Sequence, residues 1–496
     1  MREITKFYVD GQWVEPTELN LIDVINPATE KAAGHVALGT AADVDAAVNA
    51  ARRAFASWGR SSVDDRLAVL NAIIAEYQKR ADDLADAVTE EMGAPAGLAQ
   101  AAQVPIGLGH LMTAAAALPE YRFAEDRRTS RIVKEPIGVC GFITPWNWPL
   151  NQVMCKVAPA LATGCTMVLK PSEVAPFSAA IVAEIFDAAG VPAGVFNLVN
   201  GDGPGVGSAL AAHPGIDMIS FTGSTRAGIE VARTAAPTVK RVAQELGGKS
   251  PNIILDDDDL AQNVAGGVAS VMLNSGQSCN APTRMLVPNS RIDDVVEAVK
   301  SVEPSLTVGD PTSKVRLGPV VSEPQFEKIQ GLIERAIDDG ATPVIGGAGR
   351  PDDLPTGYYV RPTVFSGVTN DMEIARTEVF GPVLVVIGYD DIDEALEIAN
   401  DTEYGLAGYV SGKDLDEVRR IGERIRAGSI SLNGAQLDPS APFGGYKQSG
   451  NGREWSDYAF DEFLEVKSLL GYDARACVSG WVTRAHPDTL RATKTR

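Results

Sequence analysis

The side chains most able to do chemistry in this chain are one cysteine, one glutamate and one asparagine, each set in a short string rich in glycine, proline or polar residues. Gln277-Ser-Cys279-Asn280 follows an apolar helix and precedes a strand. Most lone cysteines are inert small core residues. This one lies in a polar, glycine-containing connection (Asn274, Ser275, Gly276), where a buried core thiol is not expected. A thiolate there would attack a carbonyl carbon, with its activation set by local charge. Glu245 opens Glu245-Leu-Gly-Gly-Lys249 at a strand end beside two glycines. That is a place for a carboxylate facing a ligand, or for an ordinary exposed turn acid. Asn147, inside Pro145-Trp-Asn-Trp-Pro149, either belongs to a rigid turn or offers its amide to an oxyanion.

Two further strings bear on nucleotide binding. In Phe221-Thr-Gly-Ser-Thr-Arg-Ala-Gly228 a strand runs into Gly223 and Ser224 and a helix begins at once. Free N–H groups and the helix dipole at such a junction attract an anion. The string is neither Gly-x-Gly-x-x-Gly nor a Walker loop, and alone it reads as a tight turn with a serine cap. Lys170-Pro-Ser-Glu173 directly follows a strand. Its cation and carboxylate can hydrogen-bond the two hydroxyls of an adenine ribose, or form a solvated pair on a proline turn.

The elements that must position these residues show in the hydrophobic rhythm. Up to about residue 40 the chain reads as short strands and turns. Val44, Ala47, Val48, Ala51, Phe55 and Trp58 then recur at helical spacing, as do Leu67, Leu70, Ile74 and Tyr77, with Gly93 and Pro95 ending the second helical region. Strand-like runs at 166–169, 195–199, 216–221 and 240–245 alternate with helical segments near 176–189, 205–212 and from Thr225. That alternation predicts a parallel sheet covered on both faces, with ligands at the carboxyl ends of its strands. A second alternation begins at Pro251, with strands near 252–255, 283–287 and 383–388, and predicts a second α/β domain. Residues 472–496 lose periodicity and read as a poorly ordered tail.

Composition narrows the field. The 496 residues carry 44 Lys+Arg against 65 Asp+Glu, a formal net charge of −21, which disfavours nucleic acid and anionic membrane partners. Hydrophobic residues make up 45% and charged residues 22%, as in soluble globular enzymes. The cysteines Cys140, Cys155, Cys165, Cys279 and Cys477 are irregularly spaced and the histidines isolated, so neither disulfides nor a metal site is expected. The start of the chain opens no signal segment and no uninterrupted apolar run reads as a membrane span, so a cytoplasmic protein is expected.

Taken together, these strings resemble the aldehyde dehydrogenase superfamily, over about residues 7 to 470. Besides those above, Glu378-Val-Phe-Gly-Pro382, Asn433 and Pro442-Phe-Gly-Gly-Tyr-Lys447 with Ser449-Gly450 carry the resemblance, in the family's order. It implies an α/β fold with a Rossmann-type cofactor domain (1–114 and 137–246, with 448–463 packing back on it) and an α/β catalytic domain (247–447). A small oligomerisation arm (115–136 and 464–475) would make homodimers or homotetramers, and 476–496 would be a C-terminal tail.

The same resemblance implies Cys279 as nucleophile, Asn147 and the Cys279 N–H as oxyanion donors, and Glu245 as the base that activates water on a thioester. The branch that passes its acyl group to coenzyme A lacks that carboxylate, so a free acid is the implied product. NAD would be held by Trp146, Lys170, Glu173, Gly203, Gly223, Ser224, Gly247, Glu378 and Phe380, with no metal required. Glu173 would repel a 2′-phosphate, while Lys170 beside it leaves NADP possible. Trp148, Asn151, Cys155, Ser278 and the loop 434–441 would line the tunnel for a small-molecule aldehyde. Cys155 stands where many relatives carry a bulky aromatic, which implies a wider or differently shaped tunnel.

A cysteine hydrolase using Cys279 and Glu245 is the competing reading, weakened because none of His35, His110, His213 and His486 suggests a catalytic partner. A non-enzymatic relative is a third reading, and it does not account for Cys279, Glu245 and Asn147 occurring together.

Overall fold

β-branched and apolar runs, most of them three to seven residues long, build two large sheets in the computed structural model, which describes residues 1–473. In the first sheet the strands run in the order 450–451, 241–245, 218–222, 139–143, 166–170, 196–198, 7–9, 12–14. The five central strands are parallel. The chain lays down 139–143, 166–170 and 196–198 outward in one direction, then returns to place 218–222 against the other side of 139–143. This reversal leaves a crevice at the carboxyl ends, the usual ligand position in such sheets. Buried apolar clusters cover both faces, one centred on Phe142, Phe186 and Phe196, the other on Val44, Val48, Ile219 and Phe221.

The second sheet runs 342–345, 363–366, 383–389, 284–288, 251–254, 407–411, 429–432, parallel except for the first strand. It too is packed on both faces. The segment 450–451 returns to pair antiparallel with 241–245, setting Gly450 opposite Glu245. A separate three-stranded sheet joins 464–469 to 130–136 and 130–136 to 124–127.

Two readings of the sequence need correction. The second periodic region is two helices, Val63–Lys79 and Ala81–Met92, parted at Arg80; Gly93, at φ 77°, ends only the latter. Pro95 precedes a new helical run, Ala96–Glu120, which by length and composition is long and apolar enough to cross a membrane. Gln100, Gln103 and His110 interrupt it. It packs against the wholly buried helix Pro149–Thr163, with Gln103 and His110 buried on the way. Rich in Ala and Gly on all sides, it shows no polar face, so periodicity did not reveal it. The proposed tail, Cys477 and His486 lie outside the described residues.

One buried cation ties the second sheet to the string at 245–249. Arg284 is fully buried, and its guanidinium donates to the carbonyls of Lys249 (3.0 Å), Ile398 (2.7 Å) and Ala399 (2.9 Å) and to Asn370 Oδ1 (2.9 Å). Arg284→Met would strand these acceptors without water. We expect a loss of about 3 kcal/mol and a thermal midpoint lower by several degrees, read by calorimetry; an unchanged midpoint would contradict this role.

Candidate active site

The site grows from a strained turn. Asn274 (φ 54°), Ser275 (φ 54°) and Gly276 (φ 73°) form a left-handed run just before Cys279. Non-glycine residues adopt that conformation only when their surroundings hold them there. Here Asn274 Nδ2 donates to the carbonyls of Asn147 (2.9 Å) and Gln277 (3.2 Å). Ser275 Oγ donates to the Gly318 carbonyl at 2.8 Å, and Gln277 Oε1 accepts from the Val321 N–H at 2.9 Å. A Cβ at Gly276 would lie 2.0 Å from the Gly381 carbonyl, and one at Gly248 would lie 2.2 Å from the Cys279 carbonyl. The strings at 245–249, 276–279 and 378–382 therefore interlock backbone to backbone, and only glycine fits at these two contacts.

From the first sheet, the loop after strand 139–143 is sewn to the same turn. Asn147, buried, donates its amide to the Gln277 carbonyl at 3.1 Å, while its own carbonyl also accepts from Gln103 Nε2 at 3.2 Å. Trp148 Nε1 donates to Ser278 Oγ at 2.8 Å. Cys279 packs on a small apolar cluster of Cys155, Leu406, Phe443, Trp455 and Ile106 between the two sheets.

Glu245 ends strand 241–245 and is 4% exposed, not the exposed turn acid its sequence allowed. Among the described residues no side chain donates to either carboxylate oxygen, and the Gly445 N–H is a backbone donor that favours its charged form. Burial, reinforced by the nearby charge of Glu454, pushes its carboxyl well above the usual range, with Lys156 opposing. Lys156, itself buried, pairs with Glu454 and donates to Thr222 Oγ1 at 2.7 Å. Cys279 is half-buried, and desolvation, with Glu245, Glu378 and Glu454 nearby, drives its thiol far above the ordinary value, so at rest it keeps its proton. Cys155 Sγ donates to Glu454 Oε2 at 3.2 Å, and a stacked pair, Phe443 and Trp455 (4.9 Å), lies in the same cluster.

Of the residues expected to hold a dinucleotide, Trp146, Lys170, Glu173, Gly203, Gly223, Ser224 and Gly247 follow strands of the first sheet, whereas Glu378 and Phe380 precede strand 383–389 of the second. Lys170, buried, pairs with Glu173 at 2.8 Å after strand 166–170. Ser224 caps helix Thr225–Ala235, its Oγ accepting from the Ala227 N–H at 3.3 Å. The Gly223 N–H is not free for an anion, because it donates to the Glu245 carbonyl at 3.0 Å. The first-turn N–H groups of Thr225 and Arg226 remain without intrahelical acceptors. Gly203 opens the turn 203–207, which Asp202 caps through the Gly205 N–H at 2.7 Å. Glu378 Oε1 accepts from the Gly248 N–H at 2.9 Å, Gly247 gives its carbonyl to Ser449 Oγ at 2.6 Å, and Phe380 meets Trp146 edge-on at 5.4 Å. A cation–carboxylate pair, a helix amino terminus and an aromatic pair on adjoining strand ends fit ribose, pyrophosphate and nicotinamide in turn.

Sequence reasoning missed Gln103, Asn274, Lys156, Glu454, His110 and Trp455. Lys156 had a signal, a lysine amid Val153, Val157 and Ala158, where an unpaired charge would be costly. Among the described histidines none partners Cys279: His35 faces Glu3 and Asp23, His213 faces Asp45, and His110 bonds Asn151. The described residues hold no group of three or more His, Cys, Asp or Glu placed for a metal ion.

The family model described as the aldehyde dehydrogenase family matches residues 13–469. A 3-succinoylsemialdehyde-pyridine dehydrogenase of Pseudomonas sp is 58% identical over 475 residues, covering 95% of this chain and 100% of that protein. A crystal structure of a mutant aldehyde dehydrogenase C from Pseudomonas syringae, complexed with NAD+ and octanal, superposes with a TM-score of 0.94 at 53% identity, covering 94% of this chain and 97% of that one. A Mycobacterium tuberculosis aldehyde dehydrogenase complexed with NAD+ superposes at 0.91 and 41% identity, covering 94% and 98%.

A thiol held this far above neutrality reacts through a thiolate fraction that keeps growing with pH. Alkylation of Cys279 by iodoacetamide in the ligand-free protein is expected to rise roughly tenfold per pH unit from 7 to 9 without levelling; a plateau below pH 8, followed by mass spectrometry of the Cys279 peptide, would contradict the burial argument.

Proposed function

The chain belongs to the aldehyde dehydrogenase family, and on that premise we propose that it oxidises an aldehyde to a carboxylic acid with NAD, through a thioester on Cys279 that water hydrolyses. The observation that carries this reading is the gathering of the half-buried Cys279 thiol, the buried Glu245 carboxylate that acts on it electrostatically, and the Asn147 amide bonded to the turn that carries Cys279. Cys279 Sγ adds to the carbonyl carbon. The oxyanion so formed takes hydrogen bonds from the Asn147 amide and from the Cys279 N–H. The hydride that the tetrahedral adduct on Cys279 must expel would be accepted by NAD held in the cleft beside it. Glu245, made more basic by burial, then takes a proton from the water that attacks the thioester. Lys156, paired with Glu454, offsets the negative charge behind it.

Trp146, Lys170, Glu173, Gly203, Gly223, Ser224, Gly247, Glu378 and Phe380 hold the dinucleotide. The carboxylate of Glu173 disfavours a 2′-phosphate, so NAD is the preferred form. NAD+ in the neighbouring structures supports this assignment. Trp148, Asn151, Cys155 and Ser278 line the acyl tunnel. The relative named for 3-succinoylsemialdehyde-pyridine and the neighbour holding octanal both support an aldehyde with an extended acyl group. Homodimers or homotetramers form through the arm (115–136 and 464–475), where Val466 and Leu470 stand exposed on and beside its outer strand. The free thiols of Cys140, Cys155, Cys165 and Cys279 support a cytoplasmic setting. The domain limits given by the resemblance, 1–114 with 137–246 and 247–447, fit the two large sheets.

Cys279→Ala should keep its circular dichroism spectrum and lose aldehyde-dependent NADH formation by at least about a thousandfold; hydrolysis of an ester without cofactor turnover in the wild type would instead favour the hydrolase reading. Glu245→Gln should release one NADH per active site in a burst and then stall, since acylation precedes the step it serves; undiminished steady turnover in a stopped-flow trace would contradict the assignment. In Glu173→Gln, loss of one repulsive charge should raise kcat/KM for NADP relative to NAD by roughly tenfold, read from initial rates.

A further inference from the structure

Two facing helices bring an unusual polar pair to the wall of the chamber. On helix Pro149–Thr163 and its cap, Trp148, Asn151 and Cys155 follow at spacings of three and four, so they share one face. Trp148 is bonded to Ser278 and Cys155 packs in the cluster with Cys279, so the face between them, and Asn151 on it, is turned to the nucleophile. Opposite, helix Val104–Ala117 presents Ile106 and His110, four residues apart. Ile106 packs in the same cluster, and His110 meets Trp455 edge-on at 5.2 Å.

His110 is 5% exposed and Asn151 8%. His110 Nε2 lies 2.7 Å from Asn151 Oδ1. Burial lowers the imidazole's affinity for a second proton, so the ring is neutral, and its single N–H is the one shared with the Asn151 carbonyl. This bond fixes the amide's orientation and directs its Nδ2 the other way. No acceptor within the described residues is bonded to that nitrogen, and it is not sealed from its surroundings; the same helix face carries Cys155, which packs with Ile106, Phe443 and Trp455. An amide donor in such a place is costly unless a ligand or water accepts from it. The nearby carboxylates of Glu245 and Glu454 make the chamber unwelcoming to an anionic acceptor.

We propose that Asn151, oriented by His110, forms a specificity subsite that donates a hydrogen bond to a neutral acceptor, a ketone-type carbonyl, in the acyl chain of the aldehyde. The subsite rests on the reading of Cys279 as the nucleophile of an aldehyde dehydrogenase. It makes Asn151 a substrate contact and His110 a positioning residue.

The test compares nonanal with 4-oxo-, 5-oxo- and 6-oxononanal as substrates of the full chain with NAD, reading kcat/KM from NADH formation. One oxo isomer is expected to exceed nonanal by about tenfold, carried in KM, because the contact persists from bound substrate to transition state. In Asn151→Leu and in His110→Leu the ratio of that isomer to nonanal should fall to about one, whereas His110→Gln, which can still donate to Asn151 Oδ1, should restore part of it. The wild-type comparison needs no variant to fold. Nonanal equal to or better than every oxo isomer, or an unchanged ratio in Asn151→Leu, overturns the subsite. Absence of NADH with all four aldehydes overturns the dehydrogenase reading itself, and so is distinguishable from failure of the subsite.

Discussion

Everything in the chamber hangs on the left-handed turn that delivers Cys279. Backbone strain of this kind survives only where neighbours over-determine it. The neighbours are amides: Gln103, Asn147, Asn274 and Gln277 exchange hydrogen bonds among side chains and carbonyls in one buried set, which leaves Gln103 Oε1 without a partner among the described residues. Each amide has both donor and acceptor, carries no charge, and so can saturate a dry network without distorting the titration of the thiol beside it. The proposed oxyanion donor, Asn147, belongs to that network. The group that would stabilise charge in the reaction is thus held by the bonds that hold the nucleophile.

Electrostatics in the chamber set a conflict that the chemistry can use. Burying a thiol near Glu245, Glu378 and Glu454 holds it protonated, which protects it from adventitious oxidation and alkylation while no substrate is present. The same burial makes Glu245 a stronger base than a solvated carboxylate. A group that must abstract a proton from water gains from such a shift, and a fully paired carboxylate would lose it. Glu245 has no side-chain partner among the described residues, whereas Glu454 nearby is paired with Lys156. Two carboxylates of one chamber are therefore given different tasks by their partners alone.

The sequence disclosed what depends on local rhythm and on short strings. Strands at 166–170, 218–222, 241–245 and 383–389 stand where alternating apolar runs put them, and the aldehyde dehydrogenase resemblance supplied the fold and family before any coordinate. What stayed hidden is tertiary. Asn274 reads as one more polar loop residue, and nothing local says that it reaches Asn147. Helix 104–117 has no polar face, so the rhythm that marks other helices is absent, and with it went Gln103 and His110. Glu454 and Trp455 sit far along the chain from the helix they touch. The N–H of Gly223 is likewise committed in a way no local motif shows, to the Glu245 carbonyl on the neighbouring strand.

Chain connectivity adds a last constraint. The chamber draws on residues 103–110, 146–156, 245–248, 274–280 and 443–455, so no contiguous part of the sequence contains it. Its closing wall, Phe443, Glu454 and Trp455, comes from the segment that leaves the second sheet and returns to the first, where Gly450 pairs with Glu245. Ser449 fastens that return, its Oγ donating to the Gly247 carbonyl and accepting from the Gly405 N–H at 3.0 Å. Each sheet could form its own core, since the apolar clusters on their faces are largely separate. The site could not. The returning segment sets Gly450 opposite Glu245 and packs Phe443 and Trp455 with Cys155 and Cys279. The chemistry therefore belongs to the docked pair of sheets, and the returning segment, though distant from Cys279 in sequence, is as much a condition of it as the strained turn.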